Sequence, residues 1–187
     1  MGLMQLLRRL SELRKPTRKL RILLLGLDNA GKTTILKVIA KETQDKDQVE
    51  PTRGFNIKSV NSSGFRLDVW DIGGQRALRP YWKNYFEETD ILIYVVDSAD
   101  PGRLEESRVQ LDELLVEDKL TGVPLLVFAN KQDLGMALKA DDISNDMKLT
   151  ELTDRRWQIQ PCSAKTEEGI ADGIDWVLKS VKASSKN

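Results

Sequence analysis

Gly26-Leu-Asp-Asn-Ala-Gly31-Lys32-Thr33 follows an apolar run at residues 20–26 and precedes a helical pattern from about residue 31 to 41. It matches GxxxxGK[ST] at each fixed position, in the strand–turn–helix setting the motif requires. The glycines permit the turn and a close backbone approach. The turn's N–H groups and the helix N-terminus can then converge on a phosphate. Lys32 supplies a cation for β- and γ-phosphate oxygens, and Thr33 offers a hydroxyl to Mg²⁺. The competing explanation, a chance Gly-Lys-Thr in an ordinary βα turn, is weakened by the flanking strand and helix.

Outward from this turn, strand and helix patterns alternate. Strands are expected at residues 20–26, 91–97, 123–130 and 157–162, and helices at about 103–119, 141–148 and 168–181. Residues 55–61 and 65–71 flank Ser62-Ser63-Gly64 and read as a β-hairpin. The pattern implies an α/β fold: a six-stranded, mostly parallel sheet with one antiparallel edge strand and helices on both faces. In such sheets ligands sit beyond the carboxyl ends of the strands. Three stretches are set apart: an N-terminal helix and linker at 1–17, the main domain at 18–182, and a polar tail at 183–187.

The chain has 187 residues, 29 Lys+Arg and 29 Asp+Glu, so no global basic field points to nucleic acid. It has no histidine and one cysteine, which removes His-based triads, intrachain disulfides and Cys/His zinc sites. No apolar run approaches the ~20 residues of a membrane span, so a cytoplasmic monomer is the default expectation. Charge is nevertheless uneven. Seven basic residues against Glu12 leave residues 1–21 at +6. Leu3, Leu6, Leu7, Leu10 and Leu13 recur at helical spacing there, so residues 1–15 form an amphipathic segment suited to weak, reversible contact with anionic lipid. Packing on its own domain is the equal alternative.

Asn130-Lys131-Gln132-Asp133 directly follows an expected strand. Guanine presents two adjacent donors, N1–H and the 2-amino group, and one carboxylate can accept both. Adenine has no such pair, which opposes an ATPase. Cys162-Ser163-Ala164, after the last strand, is a third element on the base side, and its backbone can meet guanine O6. Asp71-Ile-Gly73-Gly74-Gln75 also follows a strand. Asp71 can hold Mg²⁺ through water, Gly73 can offer a backbone N–H to a γ-phosphate, and Gln75 can orient an attacking water. Thr52, in the polar loop before the hairpin, is a candidate second Mg²⁺ ligand.

With GLDNAGKT, DIGGQ, NKQD and CSA in this order, the chain resembles a small GTPase of the Ras superfamily. DxGGQ, Asp28 and Pro51-Thr52-Arg53-Gly54-Phe55-Asn56 resemble its Arf/Arf-like branch. The resemblance spans residues 1 to about 182 and implies the P-loop small-GTPase fold, GTP/GDP and Mg²⁺ as cofactors, and a nucleotide-binding set. That set is Asp28, Asn29, Ala30, Gly31, Lys32, Thr33, Thr34, Gly74, Asn130, Lys131, Asp133, Ser163 and Ala164. Thr33, Thr52 and (through water) Asp71 would hold the metal, and Gln75 would be catalytic. Phe55, Trp70 and Tyr85 match the family's exposed aromatic triad that meets effectors. Alone, Trp70 reads as core, where aromatics are more often found.

The resemblance also implies that the hairpin shifts register between nucleotide states, with the N-terminal helix over it in the GDP form. Gly2 suggests N-myristoylation, but Leu6 stands where the acceptor rule wants Ser or Thr, so no myristoyl group is expected. This fits the type 2/type 3 branch of Arf-like proteins. That branch implies carrier partners with an immunoglobulin-like β-sandwich, release of their lipidated cargo, an Arf-like exchange factor and a GTPase-activating protein of the tubulin-cofactor-C-like kind. It also implies cytoplasmic protein with ciliary, Golgi or microtubule-associated pools. The motifs place no arginine as a cis finger, and the Asp28 carboxylate is positioned to crowd the γ-phosphate. Intrinsic hydrolysis is therefore expected to be slow, as low as on the order of 10⁻⁴ s⁻¹. A membrane-inserting vesicle-coat or Golgi recruiter and a non-cycling nucleotide-bound scaffold are the alternatives. Leu6 argues against the first, and intact Lys32, Thr33 and Gln75 argue against the second.

Overall fold

The computed structural model describes residues 18–42 and 51–184. The expected N-terminal helix, Gly2, most of the polar loop before the hairpin and residues 185–187 lie outside them. Six strands form one sheet in the order β2-β3-β1-β4-β5-β6. They are β1 (Arg18–Gly26), β2 (Phe55–Ser62), β3 (Phe65–Ile72), β4 (Ile91–Asp97), β5 (Leu125–Asn130) and β6 (Trp157–Pro161). β1 pairs in parallel with β3 and β4, and β5 with β4 and β6; β2 runs antiparallel to β3 and closes one edge. The expected fold class is the observed one.

Strand alternation builds two apolar layers. Leu20, Ile22 and Leu24 of β1, Ile93 and Val95 of β4 and Phe128 of β5 face α1 (Lys32–Ile39) and α4 (Ile170–Ser184). Leu23 and Leu25, Leu92 and Tyr94, and Val127 face α2 (Leu104–Leu115) and α3 (Ala140–Asp146). Side chains such as Ile22, Leu23 and Leu24 are wholly buried, each contributing roughly 1.5–3 kcal/mol of gross burial free energy. Strands buried on both faces read as unbroken apolar runs, which is why β1, β4 and β5 are legible in the sequence. The hairpin turns tightly at Ser63 and Gly64, both at positive φ (49° and 83°), so β2 runs one residue further than expected, to Ser62, while β3 gains one residue at its far end, Ile72.

Elements differ from the sequence reading mainly at their ends: β1 starts at Arg18 rather than residue 20 and β5 at Leu125 rather than residue 123. The helix expected over 103–119 is α2 alone, framed by 3₁₀ turns at Pro101–Arg103 and Asp118–Leu120; the second turn swings Leu120 into the core. The last helix runs Ile170–Ser184, where about 168–181 was expected. A 3₁₀ helix at Arg79–Tyr85 was not expected, because seven residues starting at Arg79-Pro80 show no 3.6-residue periodicity.

α4 lies close against β5 because Gly173 leaves room for the Phe128 ring. A Cβ there would stand 2.4 Å from Phe128 Cε1 and 2.6 Å from Cζ. Gly173→Ala should therefore cost about 1–3 kcal/mol in overpacking, more than the ~1 kcal/mol alanine gains in a helix. Equilibrium urea unfolding should show a lowered midpoint; a raised one would show that α4 moves away freely.

Candidate functional site

β1, β3 and β5 end on the same side of the sheet, and the loops leaving them meet there. Between β1 and α1 the chain turns through two left-handed residues, Asn29 (φ 62°) and Gly31 (φ 96°). A Cβ on Gly31 would lie 2.2 Å from Asn130 Nδ2, so only glycine fits. Lys32 folds back over the turn and donates to the carbonyls of Gly26 (2.9 Å) and Leu27 (2.8 Å). It is 6% exposed, and burial pushes its ammonium down to about 8 against the opposing pull of Asp71 and Asp28. A buried cation backed by a helix N-terminus is suited to polyphosphate.

Thr33, Thr52 and Asp71 come together from three separate stretches of chain. Thr33 Oγ1 donates to Asp71 Oδ2 at 2.6 Å and lies 2.9 Å from Thr52 Oγ1. Asp71 is fully buried; desolvation raises its carboxyl above the usual range, opposed by the Thr33 hydrogen bond and the Lys32 charge. Its Oδ1 is buried with no hydrogen-bond partner among the described residues. Two hydroxyls and a carboxylate with an unpaired oxygen form the hard-oxygen donor set that suits Mg²⁺ shared with phosphate. The residues present therefore fit the ion. Gln75, Gly74 and Thr34 join Asp28, Asn29, Gly31, Lys32, Thr33 and Thr52 around a cleft of about 190 Å³.

The charge near Asp28 is shared with two arginines that the motifs do not place. Both meet the same oxygen of its carboxylate. The carboxylate is paired with Arg103 Nη1 at 3.1 Å and Arg79 Nη2 at 3.4 Å. Arg79 also donates to Glu106 (2.7 Å), and Arg79 with Arg76 holds Glu106 down to about 2. Partners 51 and 75 residues apart share no spacing signal, and no sequence motif marks them.

On the base side, Asn130 is 1% exposed. Its Nδ2 donates to Ala30 O (2.8 Å), and its Oδ1 accepts from Ala164 N (3.0 Å). Lys131, at φ 69°, reaches Asp97 Oδ2 at 2.6 Å. Ser163 Oγ donates to Asp133 Oδ1 at 2.7 Å, aligning the carboxylate expected to read guanine. Cys162 is buried, and burial pushes its thiol up, so it packs rather than reacts. Asp97 was missed from the sequence because it ends β4 like any loop aspartate.

Phe55, Trp70 and Tyr85 form one cluster, with ring centroids 5.9, 5.7 and 6.2 Å apart. Phe55 is 54% exposed, while Trp70 is half-buried against the apolar layer beneath. Trp70 thus combines the core and surface readings. Arg21 lies 3.8 Å from the Trp70 ring centroid and donates to Tyr85 O at 3.0 Å. The larger groove of about 560 Å³, between the 79–85 segment and α2, contains none of the motif residues.

Comparison with known proteins gives consistent results. The model of the ADP-ribosylation factor family matches residues 6–181. ADP-ribosylation factor-like protein 3 of Chlamydomonas reinhardtii is 58% identical over 182 residues, covering 97% of this chain and 100% of that protein. The protein of the same name from Pongo abelii is 54% identical over 186 residues and 100% of both chains. Among solved structures, the Arl6 BBS3 small GTPase of Trypanosoma brucei, with bound nucleotide analogue GppNp, superposes with a TM-score of 0.80. It is 29% identical and covers 88% of this chain and 98% of its own.

Asn130→Ala leaves Ala30 O and Ala164 N without their buried partner. It should cost about 2–4 kcal/mol of stability and speed nucleotide dissociation by at least about tenfold. Urea unfolding and the off-rate of a fluorescent nucleotide check this; an unchanged off-rate would mean that the two loops hold their places without Asn130.

Proposed function

The chain belongs to the ADP-ribosylation factor family, and from that premise we propose that it is a switch whose GTP form recruits lipid-carrier proteins and makes them release lipidated cargo, notably for cilia. That it is a GTP-binding GTP hydrolase follows from the family. The observation that supports switching is the meeting of Thr52 and Asp71 on Thr33. The loop before the hairpin and the end of its second strand close on the residue that follows the P-loop lysine, where a γ-phosphate and its ion would hold them.

In this reading Lys32 and the turn N–H groups bind the β- and γ-phosphates. Thr33, Thr52 and, through water, Asp71 would hold Mg²⁺. The ion supplies charge neutralisation at the phosphates. Asp133, aligned by Ser163, reads guanine N1–H and the 2-amino group, while Ala164 N–H faces O6. Lys131, pinned by Asp97, flanks the base. Gln75 orients the attacking water. Arg79 and Arg103 are occupied by Asp28, so no arginine in this network is free to act as a finger. Hydrolysis is then slow and depends on a GTPase-activating protein of the tubulin-cofactor-C-like kind, with an Arf-like exchange factor reloading GTP. The Phe55–Trp70–Tyr85 cluster is the proposed docking surface for β-sandwich carriers, because it leaves a large aromatic side chain exposed next to the loops that sense phosphate.

The base assignment has a direct test. Asp133→Asn replaces a double acceptor with one acceptor and one donor, matching xanthine's N1–H and 2-oxo pair. Guanine nucleotide affinity should fall by at least about 100-fold and xanthine nucleotide affinity should rise, measured by competition against a fluorescent nucleotide. Unchanged guanine affinity would remove Asp133 from the site. The carrier assignment is tested with a β-sandwich carrier holding a fluorescent farnesylated peptide. GppNp-loaded protein should speed peptide release and GDP-loaded protein should not. Equal release with both would exclude nucleotide-controlled unloading.

A further inference from the structure

We propose that Trp82 and Arg79 are positioning residues that aim the Gly74 N–H into the phosphate cleft and tie that turn to the aromatic surface. The inference rests on the nucleotide-switch reading above and extends it to residues outside the nucleotide motifs. Its starting point is the Gly73-Gly74 turn, whose backbone groups are held by specific partners. Gly73 N–H, the donor expected from the sequence to meet a γ-phosphate, is instead taken by Gly54 O at 2.9 Å, which links the turn to the loop that carries Thr52. Gly73 O accepts from the indole Nε1 of Trp82 at 2.9 Å, and Trp82 is 3% exposed. Gly74 O accepts from Arg79 Nε at 2.9 Å and from Asp28 N at 3.2 Å.

A peptide unit is planar and trans, so a C=O and the next N–H point in opposite directions. Fixing Gly73 O on Trp82 therefore turns the Gly74 N–H away from the apolar layer and toward the cleft that Gly74 and Lys32 line. The approach is close: a Cβ on Gly74 would stand 2.3 Å from Gly26 O and 2.5 Å from Lys32 Nζ. Arg79 fixes the next peptide unit from the other side. Its side chain is 8% exposed, and its remaining donors go to Asp28 and Glu106, which leaves it little freedom to turn.

Both positioning residues lie on the 3₁₀ helix Arg79–Tyr85. At three residues per turn, positions 79, 82 and 85 share one face. That face carries Arg79 on Gly74 O, Trp82 on Gly73 O and Tyr85 in the aromatic cluster. A γ-phosphate that captures the Gly74 N–H thereby favours one placement of the whole helix, including Tyr85. GDP, lacking that phosphate, makes no such contact. A ligand shifts an equilibrium only by its differential affinity for the two states, and this contact supplies the difference.

The test is Trp82→Phe, which keeps an aromatic ring and removes the N–H donor. The affinity ratio of GppNp to GDP should fall roughly tenfold, with GDP affinity within about twofold of the parent. Arg79→Lys, which keeps the charge and loses the Nε fork, should lower the ratio in the same direction and serves if Trp82→Phe does not fold. A ratio unchanged in both variants, or equal losses for both nucleotides, overturns the inference and leaves Trp82 and Arg79 as packing residues. A parent protein that binds neither nucleotide would instead overturn the nucleotide-switch reading itself.

Discussion

At the end of β5, the carboxamide of Asn130 spans loops that lie far apart in the chain, with Ala30 O a hundred residues before it and Ala164 N thirty-four residues after. Each hydrogen bond is buried, so each replaces water that cannot reach these groups, and losing either leaves an unpaired backbone polar group in the interior. The phosphate turn and the base-side loop are thereby held at one separation. The parallel sheet makes this possible. β1 and β5 are both flanked by strands running the same way, so their carboxyl ends open on one edge. The separation of the two loops is thus set by one short side chain between two rigid strands.

The phosphate end is organised by charge in a dry setting. Lys32 is buried without a carboxylate in direct contact among the described residues; its ammonium rests on two carbonyls and has a third donor to give. Burial alone disfavours the charge, which a polyphosphate would restore. Asp28 stands near enough to compete for that cation, and the two guanidinium groups of Arg79 and Arg103 draw its charge aside. The pairing also joins the P-loop to α2 and to the 79–85 helix. One carboxylate therefore links the phosphate turn to elements that no strand connects to it.

Much of this was legible in the sequence, for a physical reason. Gly26, Gly31, Lys32 and Thr33 answer to one backbone geometry, so their spacing is fixed and visible. Asn130, Lys131 and Asp133 leave a buried strand whose apolar run is equally visible. Thr52, placed only by its loop and by resemblance, does reach Thr33 and Asp71. What could not be read were contacts between residues distant in sequence and set on irregular backbone. Arg79 and Trp82 sit on a 3₁₀ helix with no amphipathic period, and their partners are backbone carbonyls, which leave no trace in side-chain identity. The surplus charge of Asp28 was visible; the arginines that neutralise it were not.

The sheet is graded across its width, and the grading bears on where a signal can emerge. β1, β4 and β5 are buried on both faces, whereas β2 alternates between exposed and half-buried residues along its whole length and pairs only with β3. Buried central strands move only on global unfolding, while an exposed edge strand can shift at low cost. Phe55 lies on that edge, with the loop carrying Thr52 immediately before it. Trp70 and Asp71 are neighbours on β3 that point to opposite faces, one to the aromatic cluster and one to Thr33. Any movement of β3 along its axis must therefore displace both together. The carboxylate bonded to Thr33 and the half-buried indole share one stretch of backbone, so a displacement of either residue along the strand carries the other.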